Sequence, residues 1–235
     1  MSKEIASVLG EMSIHEREND IYCRTLVMAA NDLIGYESSW QKLALFQHFN
    51  LPTRLLDWSS SLITAIMFAI APCLECRVHC AQKNKCDRKE YNPRILMLDP
   101  QKMHAALHKD SPIGNLVAVT IGVDDKKLQD YAEVFITREQ AWDLKGGPIF
   151  LEVPWRNARI RAQKGYFTFH PDDRLSFDDI IGHEDWLTEI IIEKKLLHKL
   201  RDEIIATGST EYDLYPDIMH LAKYFARAHR KKEAQ

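Results

Sequence analysis

The residues best suited to chemistry lie in one short stretch of the chain, Leu45 to Ala69. Six polar or aromatic side chains fall within a dozen of its residues, between two apolar runs: Gln47, His48, Thr53, Arg54, Asp57 and Trp58. Polar groups set this densely in core-forming sequence are unfavourable to bury unless they pair with one another or hold a ligand. The stretch is therefore the first candidate for a binding site, although the sequence does not identify a reaction.

Arg54 is the strongest ligand-binding candidate in this stretch. Its planar guanidinium carries five donors and suits carboxylate, phosphate or carbonyl oxygens. Asp57 can hold that guanidinium or cap the following helix, and Trp58 can shield the pair from water. The alternative is a buried Arg54–Asp57 ion pair that fixes the corner between two helices and binds no ligand. The sequence leaves both interpretations open.

A cysteine cluster forms a second candidate site. Its members follow the spacing C-x₂-C-x₃-C-x₅-C, with His79 inside: Cys73, Cys76, Cys80 and Cys86. Four thiolates within fourteen residues suit a structural, tetrahedral zinc ion. An iron–sulfur cluster, a redox switch and reduced thiols without metal are the alternatives. The surrounding insert, residues 73–90, carries basic residues such as Lys83 and Lys85, which makes it a candidate contact for nucleic acid or an acidic protein.

Two histidines, His104 and His108, stand four residues apart in a predicted helix, a spacing that can bind a metal. No acidic or cysteine ligand stands near them in the sequence. We therefore expect a surface pair without a metal.

The order of predicted elements indicates an α+β fold in a single domain, with a mixed or antiparallel sheet packed with helices and the Cys-rich insert. Apolar periodicity predicts helices over residues 21–34, 40–49, 62–71, 194–205 and 216–229, and strands over 94–98, 116–121, 149–153, 165–169 and 188–192. Residues 51–58 are predicted to be a stiff connector because Pro52 excludes helix before it. The helix over 62–71 is apolar on all sides and is expected to be central.

The bulk composition is that of an ordinary soluble protein. Of 235 residues, 46% are hydrophobic and 28% charged, and the net charge of −3 argues against wholesale nucleic-acid coating. The first twenty residues are polar and contain no signal-peptide core, and the last six form a solvated tail. The longest apolar run, Leu62 to Pro72, is about half the length that crosses a bilayer. We therefore expect a cytoplasmic protein with reduced thiols and no membrane partner.

Three blocks of the sequence resemble FRG-domain proteins. Residues 47–58, QHFNLPTRLLDW, resemble the family signature QHYGLPTRLLDWT, with Phe49, Asn50 and Ser59 in place of Tyr, Gly and Thr. Residues 159–168 are similar to the RIxAQxGxFT segment, and residues 214–217 resemble the start of the FPDLxGLA element. The N-terminal Phe/Tyr-Arg-Gly tripeptide of the family is not found, and Tyr22-Cys23-Arg24 is the nearest string. Either that part lies outside this sequence or its arginine is dispensable.

The resemblance implies an FRG-like domain over residues 21–229, in which the polar corner and Gln163 line one pocket. We hypothesise that this pocket binds a small polar ligand, or a nucleotide, through Arg54. A weaker similarity of layout to ADP-ribosyltransferases implies NAD as a cofactor, with Gln163 as the late polar residue. Because a neutral amide cannot act as a general base, a transferase would need another residue. The alternatives are a non-catalytic interaction module, a decayed enzyme, and a Gln163 that only bonds backbone carbonyls.

Overall fold

The computed structural model of the chain describes residues 14–71, 93–128, 147–171, 177–180 and 182–232. The four clustered cysteines and the insert around them lie outside these residues. The predicted α+β class, with mixed and antiparallel strand pairing, is confirmed. Two compact units are distinguished: unit 1 comprises Met1–Leu56, Pro100–Pro154 and Phe167–Ile181, and unit 2 comprises Asp57–Asp99, Trp155–Tyr166 and Gly182–Gln235.

The helices, numbered within the described residues, are α1 (Ile14–Met28), α2 (Ser39–His48), α3 (Leu62–Ala69), α4 (Pro100–Leu107), α5 (Ala158–Ala162), α6 (Leu197–Ala206), α7 (Glu211–Leu214) and α8 (Ile218–Lys232). The strands are β1 (Leu55–Ser59), β2 (Arg94–Leu98), β3 (Val119–Thr120), β4 (Ile149–Glu152), β5 (Gly165–Phe169) and β6 (Leu187–Ile191). Across the ranges given above, no helix combines the length and the apolar character needed to span a bilayer.

Unit 1 contains β3, β4 and residues 167–169 of β5, which belong to a mixed sheet of order β1-β5-β4-β3. β3 runs parallel to β4, with Val119 opposite Leu151, and β5 runs antiparallel to β4, with Phe167 opposite Leu151. Trp40 of α2 packs edge-on against Phe169 at 4.9 Å between ring centroids. This apolar contact fixes α2, and with it the polar corner that follows, relative to Phe169 of β5.

The two ends of α2 are set by residues whose types suit a helix start and a helix end. Ser38 caps the helix by accepting a hydrogen bond from the Gln41 N–H at 3.2 Å. Asn50 adopts the left-handed conformation with φ of 61°, and the Leu51 N–H then bonds the Phe46 carbonyl at 3.0 Å. The connector that follows is shorter than predicted because β1 begins at Leu55. The chain therefore enters the sheet directly after Arg54.

Unit 2 is built on the antiparallel pair β2–β6, in which Leu96 lies opposite Glu189. Its core is formed by seven buried residues: Met67, Ile70, Ile95, Ile192, Leu197, Ile204 and Leu214. The prediction that α3 is central on all sides is wrong, because Leu62 and Ile63 are exposed. Only one side of α3, which carries Met67, packs into this core.

The first helix differs from its prediction at both ends. α1 begins at Ile14, inside the segment that composition marked as a polar N-terminal segment, and it ends at Met28, before the predicted end at residue 34. Its buried residue Tyr22 packs edge-on against Phe46 with 5.6 Å between ring centroids. Polar composition hid this helix because only one narrow face is buried.

The expected surface position of His104 and His108 is wrong, because both side chains are buried. His104 donates from Nδ1 to the Leu116 carbonyl at 2.9 Å and accepts at Nε2 from the Phe150 N–H at 2.8 Å. A ring nitrogen of His108 donates to the Pro148 carbonyl at 3.1 Å. The histidines thus satisfy backbone groups of unit 1. Among the described residues, no three His, Cys, Asp or Glu side chains are grouped to hold a metal.

Candidate functional site

Arg54 bonds Glu18 and Pro171 within unit 1. Its Nε donates to both carboxylate oxygens of Glu18, at 2.8 and 3.1 Å, and its Nη1 donates to the Pro171 carbonyl at 2.8 Å. The side chains of Arg54 and Glu18 are only 5% and 14% exposed. The Arg54 carbonyl also accepts from the His170 N–H at 2.9 Å. Arg54 therefore ties α1 and the segment after β5 to the polar corner.

The neighbouring polar residues of unit 1 bond one another. Thr53 Oγ1 donates to Gln47 Oε1 at 2.6 Å and accepts from the Leu55 N–H at 3.2 Å. His48 is buried, with its ring edge-on to Phe49 at 5.8 Å between centroids. Gln47 and Thr53 thus bond each other, and Arg54 bonds Glu18 and the Pro171 carbonyl, so the protein itself supplies partners to these polar groups, as burial requires.

Gln163 lies in unit 2, where its side chain also meets backbone. Its Nε2 donates to the Leu214 carbonyl at 3.0 Å, and its own carbonyl accepts from Ser59 Oγ at 2.7 Å. One turn earlier, the Arg159 guanidinium lies over the Tyr215 ring, 4.4 Å from its centroid. The segment 159–168 and the segment 214–217, which are far apart in sequence, therefore meet through hydrogen-bond and cation–π contacts.

Comparison with known proteins supports the resemblance seen in the sequence. Residues 7–75 match the family model described as the FRG domain. The chain contains an FRG domain. The matched region covers α1, α2, the polar corner and α3. No curated protein and no solved structure gives a significant match to this chain.

Glu18 is the residue of the FRG domain that sequence reasoning missed. It lies thirty-six positions before Arg54, in a segment set aside for its polar composition. One signal was present: Glu18 stands four residues before Tyr22, so that both lie on the same face of α1. A buried arginine also needs an acidic partner for its charge, and Asp57 is the nearest carboxylate in the sequence. Asp57 is exposed, whereas the actual partner, Glu18, has a side chain that is only 14% exposed.

A small pocket of the FRG domain borders the Arg54–Glu18 pair. Its lining is mostly apolar, with Glu18 and Thr53 as its polar members: Glu18, Ile21, Tyr22, Leu43, Phe46, Leu51, Pro52 and Thr53. Both polar members already have partners, since Glu18 accepts from Arg54 and Thr53 bonds Gln47. The pocket therefore offers a ligand little polar contact beyond those two side chains.

The remaining predicted site residues fall in unit 2. Asp57 is exposed on β1, and Trp58 is half-buried beside it. Because Arg54 belongs to unit 1 and Gln163 to unit 2, a pocket lined by both stays a prediction. The ADP-ribosyltransferase resemblance likewise stays a prediction. The FRG-domain assignment gives the family of the site but not its ligand.

Downstream of the matched FRG region, an Asp–His pair begins α8 in unit 2. Asp217 Oδ1 accepts from the His220 N–H at 2.9 Å, and the carboxylate bonds His220 Nδ1 at 2.7 and 2.8 Å. The His220 backbone N–H, followed by its side chain, lowers the pKa of Asp217. Tyr215 stacks on the His220 ring at 4.6 Å between centroids. This pair caps the helix and fixes its first turn.

Proposed function

We propose that this FRG-domain protein is a non-catalytic binding module in which the polar corner is a scaffold. The observation that carries the proposal is the placement of Arg54. An arginine that grips a ligand presents its donors to solvent, whereas the buried Arg54 directs Nε to Glu18 and Nη1 to the Pro171 carbonyl. Gln163 similarly gives its amide N–H to the Leu214 carbonyl. Recognition of a partner is then left to exposed surfaces of the molecule.

A pocket for a small polar ligand or a nucleotide is the second candidate. One observation favours it: Arg54 already binds a carboxylate beside a small pocket, so a ligand carboxylate or phosphate would replace Glu18. The proposed ligand-binding residues are those named from the sequence: Gln47, His48, Thr53, Arg54, Asp57, Trp58 and Gln163. An ADP-ribosyltransferase-like use of NAD has no supporting contact among the described residues.

Thermal unfolding with nucleotides separates the two candidates. If Arg54 is a scaffold residue, we expect NAD, ATP and GTP to leave the melting temperature unchanged, because Glu18 occupies the guanidinium. A ligand present at a hundred times its Kd would instead stabilise the protein by about 2.7 kcal/mol. Differential scanning fluorimetry of the whole chain measures this difference.

An Arg54→Lys variant is the specificity control for that experiment, because lysine keeps the charge and loses the planar fork. Arg24→Lys on the same helix as Glu18 is the matched exposed control. A rise of melting temperature with NAD that disappears in Arg54→Lys and survives in Arg24→Lys would refute the scaffold proposal and support the ligand pocket.

Zinc in the cysteine cluster remains a proposal that rests on the spacing of Cys73, Cys76, Cys80 and Cys86. Thiolate donors fit a tetrahedral zinc ion, which would hold the insert together so that Lys83 and Lys85 can meet nucleic acid or an acidic protein. Elemental analysis of the purified protein should find one zinc per chain. Cys76→Ser should lose it, whereas Cys23→Ser, at an exposed cysteine of α1, should retain it. Zinc-free wild-type protein would contradict the proposal.

A further inference from the structure

Helix α8 exposes an apolar face. Ile218, Met219 and Phe225 are 84%, 57% and 53% exposed, and Ala222 and Ala226 are exposed with them. Positions 218, 222, 225 and 226 follow the spacing of one helix face, and Met219 borders it. Large apolar side chains gathered on one exposed face mark a contact surface more often than a solvated one.

The opposite side of α8 is anchored to unit 2. Asp217 caps the helix and bonds the His220 ring, and Tyr215 stacks on that ring. Leu221 is half-buried, and its N–H bonds the Asp217 carbonyl at 3.0 Å. The first turn is thus fixed, and Ile218 and Met219 are exposed on this fixed turn.

The charge of α8 complements a negatively charged surface. The helix contains five basic residues and no acidic one: Lys223, Arg227, Arg230, Lys231 and Lys232. The whole chain has a net charge of −3, so positive charge is concentrated here. Lys223 is exposed one turn after Met219, at the border of the apolar face. An apolar face flanked by cations is the pattern of helices that lie on anionic membranes.

We infer that α8 docks in the plane of an anionic lipid bilayer, with Ile218, Met219 and Phe225 at the acyl boundary and Lys223 at the phosphate headgroups. A bilayer requires only an apolar face with cations at its border, which the exposed apolar residues and Lys223 supply, whereas a protein groove would also require a matched shape. The expectation of no membrane partner rested on the lack of a spanning segment, which a surface helix does not need. The inference rests on the proposed binding function and supplies its partner.

Co-sedimentation with vesicles tests the inference on the whole chain. We expect the protein to pellet with vesicles in which about a third of the lipid is phosphatidylglycerol and to stay in the supernatant with pure phosphatidylcholine. Salt of about 0.5 M should weaken the binding about tenfold or more, because it screens the contact to the headgroups. Equal binding to both vesicles, or no pelleting with the anionic ones, would overturn the inference.

Three variants sharpen the result. Phe225→Ser should reduce the vesicle partition coefficient about tenfold, because it removes a large apolar contact, and Lys223→Glu should weaken binding to anionic vesicles. Met97→Ser, at a half-exposed apolar residue of β2, is the matched control and should bind as wild type. If Phe225→Ser binds vesicles as well as the wild type, the inference is overturned. It is also overturned if the wild type does not bind vesicles but self-associates, and Phe225→Ser abolishes that self-association. The scaffold proposal is refuted by a different measurement, a nucleotide-induced rise in melting temperature. Failure of the scaffold proposal and failure of membrane docking can therefore be told apart.

Discussion

Replacing Arg54 by alanine is expected to lower the free energy of unfolding by about 3–5 kcal/mol. The substitution leaves the Glu18 carboxylate, 14% exposed, without the guanidinium that donates to both of its oxygens. It also removes the donor to the Pro171 carbonyl. An uncompensated buried charge is among the largest penalties that one substitution can cause. Urea denaturation followed by circular dichroism measures the effect.

Arg24→Ala is the matched control, since Arg24 also pairs with an acidic residue of α1. That pair, with Asp20 at 2.8 Å, is 69% and 31% exposed, and it should contribute no more than about 0.5 kcal/mol. The two ion pairs have the same shortest N–O distance, and they differ in burial and in the further bonds that Arg54 makes to the second Glu18 oxygen and the Pro171 carbonyl. Similar losses in Arg54→Ala and Arg24→Ala would show that the corner does not depend on Arg54.

A double substitution separates the charge from the packing. Arg54→Met with Glu18→Leu removes both charges and keeps apolar bulk, and such replacements of buried pairs are often neutral. We expect this double variant to be more stable than Arg54→Ala. If it is as unstable as Arg54→Ala, the bond to the Pro171 carbonyl rather than the ion pair is the main contribution of Arg54.

Local signals in the sequence predicted local structure well. The strands Arg94–Leu98 and Gly165–Phe169 have the predicted bounds, and Ser38, Asn50 and Ser61 cap or terminate helices as their types indicate. Each of these features depends on residues within a few positions along the chain. Cap chemistry and period-two alternation therefore carried the information that was needed.

The partners of the polar residues could not be predicted in the same way. Arg54 bonds Glu18 and the carbonyl of Pro171, and the latter lies 117 positions away. A backbone carbonyl has no sequence signature, so nothing in the sequence marks Pro171 as an acceptor. Because distant partners cannot be recognised in the sequence, the Arg54–Asp57 pair was predicted from the nearest carboxylate. The buried partner of Arg54 is set by how α1 packs, which is a tertiary property.

Acidification is expected to destabilise unit 1 through His104. Burial, the largest cause, lowers the pKa of His104 from 6.5 to about 4. In the unfolded chain the pKa returns to about 6.5, so below that pH the unfolded state binds a proton that the folded state does not. The stabilisation is therefore complete above about pH 6.5 and is lost as the pH falls towards 4, by on the order of 3 kcal/mol.

Two other histidines of unit 1 act in the same direction. Burial lowers the pKa of His170 to about 4, and it also lowers the pKa of His108. As the pH falls through this range, unfolding of the wild type should therefore take up more than one proton. The free energy of unfolding should fall correspondingly steeply with pH. His104→Gln is expected to be less stable at neutral pH, because a glutamine cannot satisfy both the Leu116 carbonyl and the Phe150 N–H in the ring geometry.

The decisive measurement is how steeply the free energy of unfolding changes with pH, and not its value at one pH. Urea denaturation at intervals between about pH 6.5 and pH 4 should show that His104→Gln loses about 1.4 kcal/mol less per pH unit than the wild type, which corresponds to one proton. His198→Gln, at an exposed histidine of α6, is the matched control and should keep the wild-type slope. If His104→Gln kept it as well, the His104 ring would not be a neutral group buried between two backbone partners, and the packing of α4 against β4 would have to differ from the one described.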